Sequence, residues 1–402
     1  MPTRLTRYVT ELRIIYNEMS ENLIKFTQKL IQQKSITGQK DEGAIDFLSK
    51  KLTNLGFNCQ KISFSGDKSY DVDNLHAILN PKNSDKIIYF AGHTDVVPTG
   101  DLTKWQFNPF ESKISDGKIY GRGIVDMKGA IAAFIIAVEE FLEQNEPAFG
   151  IGFLITGDEE GDAINGTKKM LEWMVQNNQK ISHCIVGEPT NPEKTGQMIK
   201  IGRRGSINFE ITLIGKQGHV AYPHNALNPI TELVNILKIL KDYNLDDGTQ
   251  YFDPSNLEIT HISNDISSNN IISGQAKVRF NIRFNDQWSS KKLIDWVKYV
   301  LDHSAIKYEM NYRVSGESFL SNDQNLQNLV INSIKDITGK KPELSTTGGT
   351  SDARFIKDYS AVIECGLVNK TAHQIDENIE ISEIELLKNI YLEILNNYYL
   401  TK

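Results

Sequence analysis

A chain of 402 residues is longer than one ordinary core organises and points to about two domains. Its 40% hydrophobic and 24% charged content describe a globular protein, and no apolar run approaches the roughly 20 residues a membrane span needs. A net charge of −7 argues against a general binder of nucleic acid or anionic membrane, so an anionic substrate would need locally placed Lys and Arg.

Residues 1–18 carry no apolar core of signal-peptide type and read as an appendage or a misassigned start ahead of Met19, with Ser20 as a helix N-cap. The spacing of Leu23, Phe26 and Leu30, then Ile45, Leu48, Leu52 and Leu55, predicts helix over 20–55. Short β-branched runs follow at 87–90, 153–156 and 184–186, each ending just before acidic residues or histidine. Between the first two, Ala130 to Leu142 is apolar enough for a buried helix. Three scattered cysteines, Cys59, Cys184 and Cys365, show no CxxC spacing, which fits a reducing compartment, by default the cytoplasm. Strands alternating with helices predict an α/β domain, in which ligands bind beyond the carboxyl ends of the strands.

The middle of the chain changes character. Residues 206–215 alternate with period two, 230–240 form an amphipathic helix, 256–262 and 276–284 are further strands, and 289–303 is helical. This order predicts a compact α+β unit over 206–316, inserted in a catalytic domain made of 19–205 and 317–402.

Five strand-end segments carry candidate chemistry. His93 stands two residues before Asp95, which could orient its shell; the plainer reading is a core histidine beside a capping Asp. Asp126 lies among Gly121, Gly123 and Gly129, where the backbone could present it to metal; no GxxxxGK[ST] pattern supports a phosphate cradle. Glu159 and Glu160 are adjacent, and on extended backbone they point opposite ways, so one could hold a metal while the other takes a proton from water. Taken alone, such a pair reads as ordinary surface charge. With Glu188 and His373 the set offers two triads of nitrogen and oxygen ligands if Asp126 is shared, which suits zinc or a similar hydrolytic metal.

A basic set, Lys200, Arg203 and Arg283, invites carboxylates, although solvated charge is the ordinary reading of such clusters. The loop from Gly348 through Gly349 and Thr350 to Asp352 reads as the opening of a helix, either an anion site or a plain cap.

The segments Gly92-His93-Thr94-Asp95-Val96-Val97-Pro98, Asp126-Met127-Lys128-Gly129 and Glu159-Glu160-Gly161 resemble the M20 family of dinuclear zinc aminoacylases and peptidases. Val186-Gly187-Glu188-Pro189-Thr190, Gly202-Arg203-Arg204-Gly205-Ser206 and Gly348-Gly349-Thr350-Ser351-Asp352 resemble its desuccinylase branch more narrowly. The resemblance runs from about Met19 to the C-terminus. It implies a catalytic zinc-peptidase-like α/β domain with an inserted ferredoxin-like lid used for dimerisation. It implies two zinc ions per subunit, cobalt being an alternative in one site. His93, Asp126 and Glu188 would hold one metal, and Asp126, Glu160 and His373 the other. Glu159 would be the general base and Asp95 the support of His93.

His219 would reach the partner subunit's site of a homodimer and stabilise the oxyanion, with Asn269 or Asn270 reaching across likewise. Substrate contacts would fall to Lys200, Arg203, Ser206, Tyr222, Asn269, Asn270, Arg283, Gly349, Thr350 and Asn369. The sequence departs from the family pattern at Ile124-Val125, bulkier than the usual small pair, at Ser273 for Pro, and at Thr347 for Gly. The implied activity is hydrolysis of N-succinyl-LL-2,6-diaminopimelate to succinate and LL-2,6-diaminopimelate. Acetylornithine deacetylation or a broader aminoacylase activity is the alternative. A non-catalytic metal or peptide binder is disfavoured because it would need no free Glu159.

Overall fold

The computed structural model describes residues 20–400, so the expected appendage over 1–18 lies outside the described residues. The long helical pattern near the start is two helices, not one. Residues 20–32 are helical and bury Leu23, Phe26, Leu30 and Ile31. Ser20 is already inside that helix, and its hydroxyl donates to the Glu385 carboxylate, so it is not a cap. The second helix, Ala44–Asn54, restarts because the Asp41 carboxylate accepts from the amides of Ala44 and Ile45, each at 3.0 Å.

The first of two compact units runs to Ile201 and resumes at Ser321–Leu344 and from Ser351 onward. Its core is an eight-stranded sheet in the order Asn58–Gly66, Ser69–Leu79, Gly150–Thr156, Ile87–His93, His183–Val186, Ala361–Glu364, Met198–Lys200, Glu343–Ser345. The four strands from Gly150–Thr156 to Ala361–Glu364 are mutually parallel. Gly150–Thr156 and Ile87–His93 are buried along their whole length, as strands covered on both faces must be. The helix Gly129–Gln144 is buried nearly all round, and its Phe134 ring meets Tyr391 of the helix Ile381–Leu400 edge-on, 5.2 Å between centroids.

The second unit spans Gly202–Leu320 and takes in Ser345–Thr350. It is wider than the 206–316 read from periodicity because Gly202–Arg203 pairs antiparallel with Phe319–Leu320, a two-residue ladder too short to leave a pattern. An antiparallel sheet in the order Asn256–Asn264, Gln275–Phe284, Gly205–Ile214, Lys307–Gly316 carries the helices Pro229–Asp242 and Ser290–Asp302. Strand, helix, strand, strand, helix, strand is the ferredoxin-like order. Ile207, Phe209, Ile211 and Leu213 join Val278, Phe280 and Ile282 in one core with Leu233, Leu237, Leu293 and Val297 of the helices. The last strand, Lys307–Gly316, has an exposed, weakly alternating edge and was not legible from periodicity. Among the described residues, no helix is long and apolar enough to cross a membrane.

Candidate metal centre

The parallel strands converge their carboxyl ends on one place. His93 ends Ile87–His93, Glu188 follows His183–Val186 by two residues, and Glu159 and Glu160 follow Gly150–Thr156. Asp126 comes from the loop before the helix Gly129–Gln144, and its peptide bond to Met127 is cis. Two groups of potential ligands result, His93 with Asp126 and Glu188, and Asp126 with Glu160 and His373, each with its donor atoms within 4.8 Å of one another. Asp126 faces both. Its Oδ1 is 3.1 Å from His93 Nε2 and its Oδ2 is 3.1 Å from His373 Nε2. Glu188 Oε1 lies 3.7 Å from His93 Nε2, and Glu160 Oε1 lies 2.8 Å from His373 Nε2.

Asp95 supports this arrangement differently from the sequence reading. Its backbone carbonyl, not its carboxylate, accepts from His93 Nδ1 at 2.9 Å; the carboxylate stands 3.6 Å from that nitrogen, too far for a hydrogen bond. The carboxylate instead accepts from the amides of Glu159 and Glu160, at 3.1 and 3.0 Å. Asp95 thus fixes the His93 tautomer with one group and the glutamate pair with another. The pair sits in a bend, not on extended backbone, so the split of Glu159 from Glu160 comes from the turn and not from strand alternation. Asp158 holds that turn, its carboxylate accepting from the amides of Ala163, Ile164 and Asn165 and from the Tyr70 hydroxyl.

Burial works against every charge here. It pushes the Asp95 carboxyl up to about 6 against the pull of His93 and the two amides. Burial first, then Asp352 for Glu159 and Asp126 for Glu188, raise those two carboxyls well above the usual range. Burial would lower His93, but Asp126, Asp95 and Glu188 outweigh it and raise the imidazole well above its ordinary value. Hydrogen bonds to Asp126 and Glu160 raise His373 to about 10. Carboxylates gathered so closely need positive charge between them. Nitrogen and oxygen donors without sulfur, in two triads sharing one carboxylate, fit two divalent cations.

The remaining candidates divide between the units. Lys200 is buried in the first, where its ammonium meets Met198 Sδ at 3.0 Å. Arg203 and Arg283 belong to the second. There burial, reinforced by the guanidiniums of Arg204 and Arg203, lowers Arg283, whose buried Nη1 has no hydrogen-bond partner among the described residues. Arg203 Nη1 donates to the Thr347 carbonyl at 2.9 Å, and Gly348 beside it, at φ +105°, leaves room that a Cβ would take, 2.3 Å from that nitrogen. The Gly348–Thr350 loop therefore backs Arg203. It opens the four-residue helix Ala353–Ile356, where Asp352 makes no side-chain capping bond, so the plain-cap reading is not met. Gly349 is exposed and Thr350 half-buried.

Ser206 is buried, its hydroxyl accepting from Asn281 Nδ2 at 3.0 Å. His219 is exposed, and its Nδ1 accepts from the Ala221 amide at 3.0 Å, which places the ring proton on Nε2. The Tyr222 ring lies 5.7 Å away. Val220 donates to the Asn270 carbonyl, which brings exposed Asn269 and Asn270 beside His219. Asn369 exposes its side chain while its amide donates to the Asn191 carbonyl.

Residues 89–397 match the model of peptidase family M20/M25/M40. A succinyl-diaminopimelate desuccinylase of Pelagibacter ubique is 47% identical over 383 residues, 94% of this chain and 99% of that protein. The chain belongs to the M20/M25/M40 family. A second relative of the same name, from Ehrlichia canis, is 46% identical over 95% of this chain and 99% of its own. The fold agrees with solved M20 structures. An M20 metallo-carboxypeptidase of Sulfolobus solfataricus superposes with a TM-score of 0.77 at 20% identity, covering 96% of this chain and 100% of that one. Human carnosine dipeptidase 1 gives 0.73 at 17% identity, with full coverage of both.

Within this M20 scaffold, sequence reasoning passed over Asp158, Arg122 and Glu377. Glu377 stands only 4 positions beyond His373, a closeness visible in the sequence but without a stated role.

Proposed function

We propose that the chain hydrolyses the amide of N-succinyl-LL-2,6-diaminopimelate to succinate and LL-2,6-diaminopimelate, as a cytoplasmic homodimer with two zinc ions per subunit. Cobalt is the alternative occupant of one site. The observation that carries the reading is Asp126, which turns one oxygen to each of two histidines while Glu159 stays outside both triads. Relatives named for this reaction, 46–47% identical over nearly the whole chain, support the choice of substrate.

Bound there, two such cations supply Lewis acidity toward the amide carbonyl and the attacking water. The chain's own groups do the rest. His93, Glu188, Glu160 and His373 would hold the cations, with Asp126 common to both ligand groups. Glu159, raised by its buried surroundings, takes the proton of the water and returns it to the departing amine. His219 of a second copy offers its Nε2–H to the developing oxyanion. Lys200, Arg203 and Arg283 take carboxylates of the substrate, with Ser206, Tyr222, Asn269, Asn270, Gly349, Thr350 and Asn369 around it. The unpartnered Arg283 Nη1 favours a substrate with an anionic acyl group over an acetylated one.

The test compares zinc-loaded protein on succinyl-diaminopimelate and acetylornithine. One charge-assisted bond of about 1.5 kcal/mol predicts at least a roughly tenfold preference in kcat/KM for the succinylated substrate. Equal or better turnover of acetylornithine would move the chain to the aminoacylase alternative. Elemental analysis should find two zinc per chain and one after His373→Ala.

A further inference from the structure

Three loops that supply ligands meet at one buried ion pair. Arg122 Nη1 and Glu377 Oε2 are 2.8 Å apart, with side chains 3% and 0% exposed. Glu377 accepts from three amides of the Asp126 loop, Gly123 at 3.0 Å, Val125 at 2.9 Å and Asp126 itself at 3.3 Å. Arg122 donates to the carbonyls of Gln374 at 3.1 Å and His373 at 3.4 Å, and to that of Pro98, which closes the His93 segment, at 3.4 Å. Its guanidinium also lies over the Trp105 ring, 5.2 Å from the centroid. His373 has a φ of +63°, a left-handed conformation that a non-glycine residue keeps only where its surroundings hold it.

A buried carboxylate that spends its acceptors on backbone amides is not a ligand. It is placed to decide where the ligands stand.

We propose that Arg122 and Glu377 are positioning residues that clasp the Asp126 and His373 loops together and so set the affinity of the Asp126–Glu160–His373 site for its cation. The proposal rests on the two-cation reading above. Geometry makes the effect selective. Glu377 grips the amide of the shared ligand, but only the second site also depends on the His373 loop, whose carbonyls Arg122 holds. The first site keeps His93 on the Asp95 carbonyl and Glu188 on its own strand end, neither of which the pair touches.

The test is titration of the metal-stripped, full-length protein with Zn2+ against a chromophoric chelator, resolving two dissociation constants. Far-UV circular dichroism and thermal unfolding of the stripped protein check the fold. Glu377→Gln keeps the shape but turns an N–H toward donors, and should weaken one of the two sites about 10- to 100-fold while the other moves less than about threefold. In a His373→Ala background, where only the first site remains, Glu377→Gln should change the affinity less than about threefold. Arg122→Lys keeps the charge but loses the planar fork, and should reproduce the selective loss at smaller size, which covers the case in which Glu377→Gln does not fold.

Unchanged constants in both variants, or equal weakening of both sites, would overturn the proposal. A wild-type protein that binds only one Zn2+ would instead overturn the two-cation reading on which it rests.

Discussion

At the scale of single residues, roles follow from which atoms face each other. Glu159 lies outside both ligand groups, and its amide is pinned by Asp95. Glu159→Gln should therefore leave two zinc bound while kcat falls at least about 100-fold, the low end for losing a general base. Metal analysis and steady-state kinetics on one preparation check it; near-normal turnover would mean that another group takes the proton. Among the described residues, Arg283 Nη1 has no hydrogen-bond partner. Arg283→Ala should weaken productive binding of the succinylated substrate by about 1.5–3 kcal/mol, with a smaller effect on an acetyl analogue. Equal losses on both would point away from anion recognition. The identities of the candidate ligands were legible because the chemistry demands His, Asp and Glu at strand ends. The atoms were not: the use of the Asp95 carbonyl in place of its carboxylate depends on a backbone turn that composition does not encode.

At the scale of elements, the sheet carries a titratable group away from the metal centre. His76, on Ser69–Leu79, is buried, and its Nε2 meets the Tyr89 hydroxyl at 2.9 Å. The strand between them makes this reach possible through Gly152, where a Cβ would fall 2.3 Å from the Tyr89 ring. Burial lowers the His76 imidazole to about 4 from its ordinary 6.5. The unfolded chain therefore binds the proton more readily, and the stability that neutral His76 contributes is full above 6.5 and lost as the pH falls toward 4. Between pH 7 and 4.5 the wild type should lose about 2 kcal/mol more than His76→Gln, by denaturant unfolding at each pH. A parallel loss in both proteins would refute it. Taking the difference cancels the metal ligands' own pH dependence, which the two proteins share. Most elements were legible because alternation and 3.6-residue spacing are local; Lys307–Gly316 was not, since an exposed edge strand needs no apolar face.

At the scale of the whole molecule, the proposed homodimer makes a prediction that no single chain can meet. His219 is exposed, with its ring proton on the outward Nε2. If it serves a partner's site, His219→Ala and Glu159→Ala, each inactive alone, should complement when subunits exchange. Random mixing of a symmetric dimer puts one intact site in each heterodimer, so about a quarter of wild-type activity should return. Demonstrated heterodimers without activity would leave His219 acting within its own chain.

By itself the sequence determined the family, the donor types and the order of most elements, because each is written in short segments whose chemistry or periodicity is local. Tertiary structure alone decided the rest. Asp126 and His373 are 247 positions apart in sequence, yet one carboxylate oxygen meets that imidazole because the fold brings the loop before the helix Gly129–Gln144 against the loop after the strand Ala361–Glu364. Lys200 and Arg203 are near neighbours in sequence, yet they fall in different units because the chain crosses a boundary between them. Arg122 and Glu377 look like unremarkable charges until the fold removes them from water, and burial is what obliges them to pair. Such pairings depend on strand order and chain closure, which no local propensity carries.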